Sequence, residues 1–340
     1  MLAASEDFNC LAPWGWMHDS HIVGLRHPVT KEALLGSVLG RLRTMFALLV
    51  YRRAAGHRWL INTILSEGDS SGPDSEDRGL EQDLVKVEFT PKRELWKEDR
   101  AVLAAAGYSP ALKRGHVWPV FRSLVPGGFP WHVNQAEADT LLFALPRVAA
   151  FARLLRAQPD LCEGHLDGEI AYLPDDFVPA AGELRGEQLD WHPMLPPPEP
   201  LPDLVSLDGA TQARLLQLPQ AKGFHLEVDV AYSLMAVADV ERPRFPKLAV
   251  TVDRASGFVA GFRLSEINDP QGVVMLGTVL RDSLSQLGHR PETIRVQRSR
   301  VAIMLSQAAK ELGIPVIQDA ELPALNAARE DMERRFGRSR

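Results

Sequence analysis

The chain has 340 residues, 45% of them hydrophobic and 24% charged, with a net charge of −6. That length suggests two domains with enough apolar material for two cores, and so modest a charge excludes a dedicated duplex binder, which needs a strong basic excess. Two cysteines exclude a disulfide scaffold or a cysteine-built zinc site, and no apolar run approaches membrane-spanning length.

The first residues, Met1-Leu-Ala-Ala-Ser-Glu-Asp7, lack the basic start and apolar centre of a signal peptide. A soluble, cytoplasmic protein without a membrane partner is therefore expected. Leu11-Ala-Pro-Trp14-Gly-Trp16-Met-His18-Asp-Ser-His21 is the densest aromatic cluster. Trp14 and Trp16 offer faces on which a base can stack, or they anchor the chain end by burying a large area. His18, Asp19 and His21 have a loose metal-like spacing, which a turn containing Asp and Ser explains better.

Residues 21–25, 33–39 and 45–51 read as three successive strands, and 59–65 as helix or strand. The acidic, polar stretch 67–83 buries too little to order itself and reads as a loop. Residues 84–89 alternate as a strand, and 92–106 form a helix with a charged face. Arg122, among Trp118, Phe121 and Trp131, suits either an anion beneath a hydrophobic lid or a buried pair with a nearby acid. Asn134-Gln-Ala-Glu137 is a capping box that starts an amphipathic helix over 141–156, which Pro146 should bend. Residues 169–173 close the first sheet.

From 174 to 202 the chain includes Trp191-His-Pro-Met-Leu-Pro-Pro-Pro-Glu-Pro-Leu-Pro202. Consecutive prolines force extended geometry, so this reads as a semi-rigid spacer. The organisation is thus an α+β, aromatic-rich domain over 1–173, a Pro-rich linker over 174–203 and an α/β domain with a mixed sheet over 204–340. Residues 1–203 carry a net −8 (20 basic, 28 acidic) and 204–340 a net +2 (18 basic, 16 acidic). No Walker loop, dinucleotide glycine fingerprint, nucleophile elbow or paired-cysteine motif occurs, so no nucleotide cofactor is expected.

In the last third, Leu226, Val228 and Val230 alternate with Glu227, Asp229 and Ala231, the period of a strand with one buried face. Asp229 then lies on the face opposite the apolar set, most simply as an exposed acid. Residues 247–253 and 258–264, split by a segment ending in Gly257, read as a hairpin. Asn268-Asp-Pro270 starts a helix whose apolar stripe ends at Gly288. A strand over 293–297, a helix over 301–312, a strand over 314–317 and a charged helix over 325–335 follow.

This order resembles the ribonuclease H-like fold, and within it integrase and transposase catalytic domains, through Glu227-Val-Asp-Val-Ala-Tyr232, Val252-Asp-Arg-Ala-Ser-Gly257 and Ile294-Arg-Val-Gln297. The resemblance implies clustered acids that hold two Mg²⁺ ions for phosphodiester cleavage. Asp229 falls at the first acid, Gln297 at the second, and Glu330 or Glu333 at a third. An amide is a poor substitute for a carboxylate around Mg²⁺, so the leading expectation is a non-catalytic binding module without a cofactor. Its contact with nucleic acid or a protein partner would run through the Asp229, Gln297, Arg298 edge, with Arg295 and Arg300 beside it. The tail Arg334-Arg335-Phe-Gly-Arg338-Ser-Arg340 is a second basic patch. The alternative is a divalent-metal nuclease that recruits Asp229, Asp253 and Glu330 around Mg²⁺. A third reading is a protein-interaction module that uses Trp14, Trp16 and Arg122. Together, Pro-Trp-Gly-Trp-Met, Trp-Pro-Val-Phe-Arg-Ser, the proline-rich spacer and the last domain resemble a two-domain bacterial family, which implies this architecture and no activity.

Overall fold

A computed structural model describes residues 1–65, 77–109, 117–165, 168–233, 235–238, 241–265, 269 and 271–336. They form two compact units, each with its own sheet. The first takes residues up to 65, 81–126 and 130–198; the second takes 199–336 together with 77–80 and 127–129.

The first unit contains α1 (Leu2–Leu11), β1 (Val23–Arg26), β2 (Ala33–Leu39), β3 (Phe46–Arg52), α2 (Arg53–Leu65), β4 (Leu84–Pro91), α3 (Lys97–Ala105), β5 (Val117–Leu124), α4 (Gln135–Ala157), β6 (Glu169–Tyr172) and β7 (Asp190–Pro193). The strands lie in the order β5-β4-β3-β2-β1-β6-β7. All pairs are antiparallel except β1 with β6.

Both faces of the central strands are buried, which explains their near-continuous apolar sequence. Leu48 and Val50 of β3 pack with Leu141, Leu145 and Val148 of α4. Ala47, Leu49 and Tyr51 of the same strand face Leu60 and Ile61 of α2. The capping box at the start of α4 is formed: Asn134 Oδ1 accepts from the Glu137 N–H at 3.0 Å, and Glu137 returns the bond to the Asn134 N–H at 3.0 Å. The helix runs on through Pro146.

The spacer differs from its sequence reading. Residues 190–193 form the edge strand β7, paired with β6, so β6 does not close the sheet. Met194 is buried, and Arg58 donates to the carbonyls of Pro197 and Pro198 at 3.1 and 2.7 Å. A proline run in extended geometry makes no internal hydrogen bonds, so its carbonyls stay open, and a guanidinium fork satisfies two of them here.

The second unit contains α5 (Gly209–Leu216), β8 (Gln220–Tyr232), β9 (Lys247–Asp253), β10 (Val259–Leu264), α6 (Val273–Leu287), β11 (Arg290–Val296), α7 (Ser299–Glu311), β12 (Val316–Gln318) and α8 (Pro323–Phe336). The order is β10-β9-β8-β11-β12, with the first three strands antiparallel and β8, β11 and β12 parallel. Leu226, Val228 and Val230 face α6 and α7 through Leu276, Leu280, Met304 and Leu305. On the other side α8 packs Leu325 on Val250 and Val252.

Asn268 and Pro270 lie outside the described residues, but Asp269 caps α6 by accepting from the Val273 and Met275 N–H groups, both at 2.9 Å. Gly288 ends that helix at φ +71°, the left-handed conformation glycine adopts without a Cβ penalty. Two short segments from the first half of the sequence complete the unit. Gly127 accepts from Phe245 N–H at 2.6 Å and donates to the Leu80 carbonyl at 2.7 Å, while Phe129 N–H donates to Pro243 at 2.8 Å. Among the described residues no helix is long and apolar enough to cross a membrane.

Candidate functional site: an acid held by two guanidiniums

Strand alternation places Glu227, Asp229 and, by the parallel register of Glu227 with Arg295, the Arg295 side chain on the face of the second sheet that α8 covers. The expected exposed acid is therefore buried. Glu227 is 0% and Asp229 3% exposed, because α8 covers a face whose polar residues read as solvated. Each carboxylate is engaged. Glu227 accepts from the Leu325 N–H at 2.8 Å, at the start of α8, where backbone donors lack helical partners. Arg254 lies 3.4 Å from the other Glu227 oxygen. Asp229 Oδ2 lies 3.2 Å from Arg329 and 3.5 Å from Arg298.

Arg298, itself 3% exposed, also donates to the Val230 carbonyl and to the Asp77 carboxylate, both at 3.3 Å. Asp77 in turn accepts from the Tyr232 N–H at 3.0 Å. Arg295 and Arg254 converge on Asp319 at 2.6 and 2.9 Å. Burial pushes the Asp229 carboxyl above its ordinary range; the two guanidiniums oppose that rise and Asp77 adds to it. The hydrogen bond from Arg295, reinforced by Arg254, holds Asp319 below its ordinary range.

The residues expected to share a metal site do not meet. Asp253 pairs with Leu226 and Asp229 with Val250, so the two acids sit three positions apart, roughly 10 Å along the strand, and on opposite faces. The Asp253 carboxylate is spent on its own turn, accepting from Ala255 N–H at 3.1 Å and Ser256 hydroxyl at 2.5 Å. Gln297 donates to the Ala320 carbonyl at 2.6 Å. Glu330 is exposed, and the α8 side chain that reaches Asp229 is its neighbour Arg329. A site for Mg²⁺ needs converging oxygen ligands; Asp229 is instead contacted by two cationic side chains. Among the described residues no group of three or more His, Cys, Asp or Glu is arranged to hold a metal.

The other candidates are also engaged. Trp14 packs between Phe46 and Phe89, with ring centroids 5.1 and 5.6 Å away. Trp16 donates to the Ala152 carbonyl at 2.8 Å. Arg122 makes a bidentate pair with Asp99 at 2.8 and 2.5 Å and lies 3.8 Å over the Trp96 ring. Beside that pair runs an open apolar groove of about 640 Å³, lined by Leu103, Phe121, His132 and Val133. Between His18 and His21 the His21 Nδ1 accepts the His18 N–H at 2.9 Å, a turn contact. Arg300 sits half-buried in the first turn of α7. Arg335 pairs with Asp331 at 2.7 Å, and residues 337–340 of the basic tail lie outside the described residues, as does the Glu333 side chain.

The profile of the family described as Domain of unknown function (DUF7309) matches residues 1–172. The chain belongs to the DUF7309 family. A second profile, Domain of unknown function (DUF6930), matches residues 211–333. The DUF7309 match ends at the last residue of β6, whereas the first unit continues through β7 to residue 198. The DUF6930 match spans the whole five-stranded sheet and most of α8, and so includes Asp229, Arg298 and Arg329. Neither curated proteins nor solved structures yield a match to the chain.

Arg329, Glu227 and Asp77 are not among the site residues that the sequence suggests. Arg329 had a signal: it falls four residues after Leu325 and three before Met332, on the apolar stripe of α8, where a charge calls for a buried partner. Asp77 had none, because one acid in an acidic stretch looks like any other.

Proposed function

We propose that the DUF6930 segment is a ribonuclease H-like module that binds and does not cleave. The strand order, the mixture of antiparallel and parallel pairs, and helices that follow β10, join β11 to β12 and follow β12 support the fold reading. The observation that carries the function is the Arg298 and Arg329 pair on Asp229. Positive charge that a nuclease of this class draws from divalent ions comes here from guanidiniums, which cannot activate a water. No metal or nucleotide cofactor belongs to this reading.

Single- and double-stranded DNA and RNA incubated with the protein in Mg²⁺ or Mn²⁺ are expected to remain intact. Cleavage that disappears on Asp229→Ala would overturn the proposal. The partner is nucleic acid or protein, and salt separates the two: affinity for nucleic acid falls steeply as counterions compete for the phosphates. Arg295 and Arg298 already serve Asp319, Asp229 and Asp77, so a phosphate contact there requires an internal carboxylate to leave.

A further inference from the structure

Asp77 reaches Arg298 and Tyr232 from a part of the chain more than 150 residues away in sequence. Its carboxylate is bound as an oxyanion: Oδ1 takes the backbone N–H of Tyr232 at 3.0 Å and Oδ2 takes the Arg298 guanidinium at 3.3 Å. Both donors are set by buried structure. Tyr232 ends β8, and Arg298 is 3% exposed and tied to the Val230 carbonyl and to Asp229. A main-chain N–H beside a fixed guanidinium is an arrangement that binds phosphate as well as carboxylate.

The occupant is less buried than the site. None of residues 77–80 is buried, and the Asp77 side chain is 15% exposed. A main-chain bond from Gly127 N–H to the Leu80 carbonyl joins this segment to the rest of the unit. Segments with little buried surface open at low free energy.

We infer that Tyr232 N–H and Arg298 form an oxyanion site, that Asp77 fills it in the resting protein, and that a phosphate-bearing ligand takes the place of Asp77. The inference deepens the non-catalytic reading by naming a ligand chemistry, and it rests on the geometry at Arg298, so its test does not measure cleavage.

The test compares wild type with Asp77→Ala and with Asp77→Asn, which keeps an acceptor for Tyr232 N–H should the alanine variant fold poorly. Thermal midpoints are recorded with inorganic phosphate and with a single-stranded oligonucleotide, against chloride at matched ionic strength, while the Tyr232 amide resonance reports occupancy. Apparent phosphate affinity at least about tenfold tighter in a variant than in wild type, read from the midpoint shift, with movement of the Tyr232 resonance, supports the inference. Binding of the oligonucleotide as well identifies a nucleic-acid backbone, and binding of phosphate alone identifies a small phosphorylated ligand. A folded variant in which neither probe shifts the midpoint or the Tyr232 resonance overturns it.

Discussion

The Arg329 guanidinium, on the last helix, lies 3.2 Å from the Asp229 carboxylate in the middle of the second sheet. This pair ties α8 to the strands beneath it. Asp229 and Arg298 are buried, at 4% and 3% side-chain exposure, and Arg329 is partly buried at 18%. Removing one member of such a cluster strands a charge away from water. Arg298→Ala is therefore expected to lower stability by about 3–5 kcal/mol, and adding Asp229→Leu to that variant should recover much of the loss. Urea denaturation of the single and double variants checks both, and a double variant no better than the single removes the buried-charge explanation.

His21 gives a pH dependence with a defined sign. Burial, with smaller contributions from His18 and Arg41, lowers its pKa from 6.5 to about 4. The unfolded chain takes the proton near 6.5 and the folded chain only near 4, so the contribution of His21 to stability is complete above pH 6.5. It is lost as pH falls through that window. An imidazole resonance of His21 titrating near 4 by NMR is the expected result, and a midpoint near 6.5 contradicts it.

Arg122 tests whether a guanidinium in the first unit can be replaced by another cation. Its two bonds to Asp99 and its place over Trp96 use the planar fork, which an ammonium lacks. Arg122→Lys is expected to destabilise by roughly 1–3 kcal/mol through lost charge-assisted bonds, and Arg122→Ala by more. Equal denaturation midpoints for wild type and the lysine variant would show that the fork is dispensable.

Gly127 links the 77–80 segment to the rest of the second unit. It has φ +69°, and a Cβ there would meet the Tyr232 ring at 2.8 Å and the Phe245 carbonyl at 3.2 Å. Gly127→Ala should cost about 1–2 kcal/mol for the left-handed backbone alone, with added strain at Tyr232. Faster amide exchange at Gly127, Phe129 and Phe245 than in wild type is the accompanying signature.

Capping of α4 is the mildest case. Asn134→Ala removes the acceptor for the Glu137 N–H and should cost about 1 kcal/mol, seen as a shifted midpoint with an unchanged denaturant slope.

Taken alone, the sequence determined what depends on neighbours a few residues apart. Alternation in 226–231, the hairpin turn at Asp253, the Asn134 capping box and the stop at Gly288 are all present because strand period, turn chemistry and helix ends are local physics. What α8 covers is not local. The period of two in β8 tells which residues share a face, but whether that face meets water or a helix was settled only when α8 folded over it, turning Asp229 from a surface acid into a buried one. The assignment of Gln297, Arg298 and Arg329 likewise depended on which groups the sheet register and the Asp77 segment brought within reach. Contacts across 100 to 221 positions leave no periodic trace in the residues that make them.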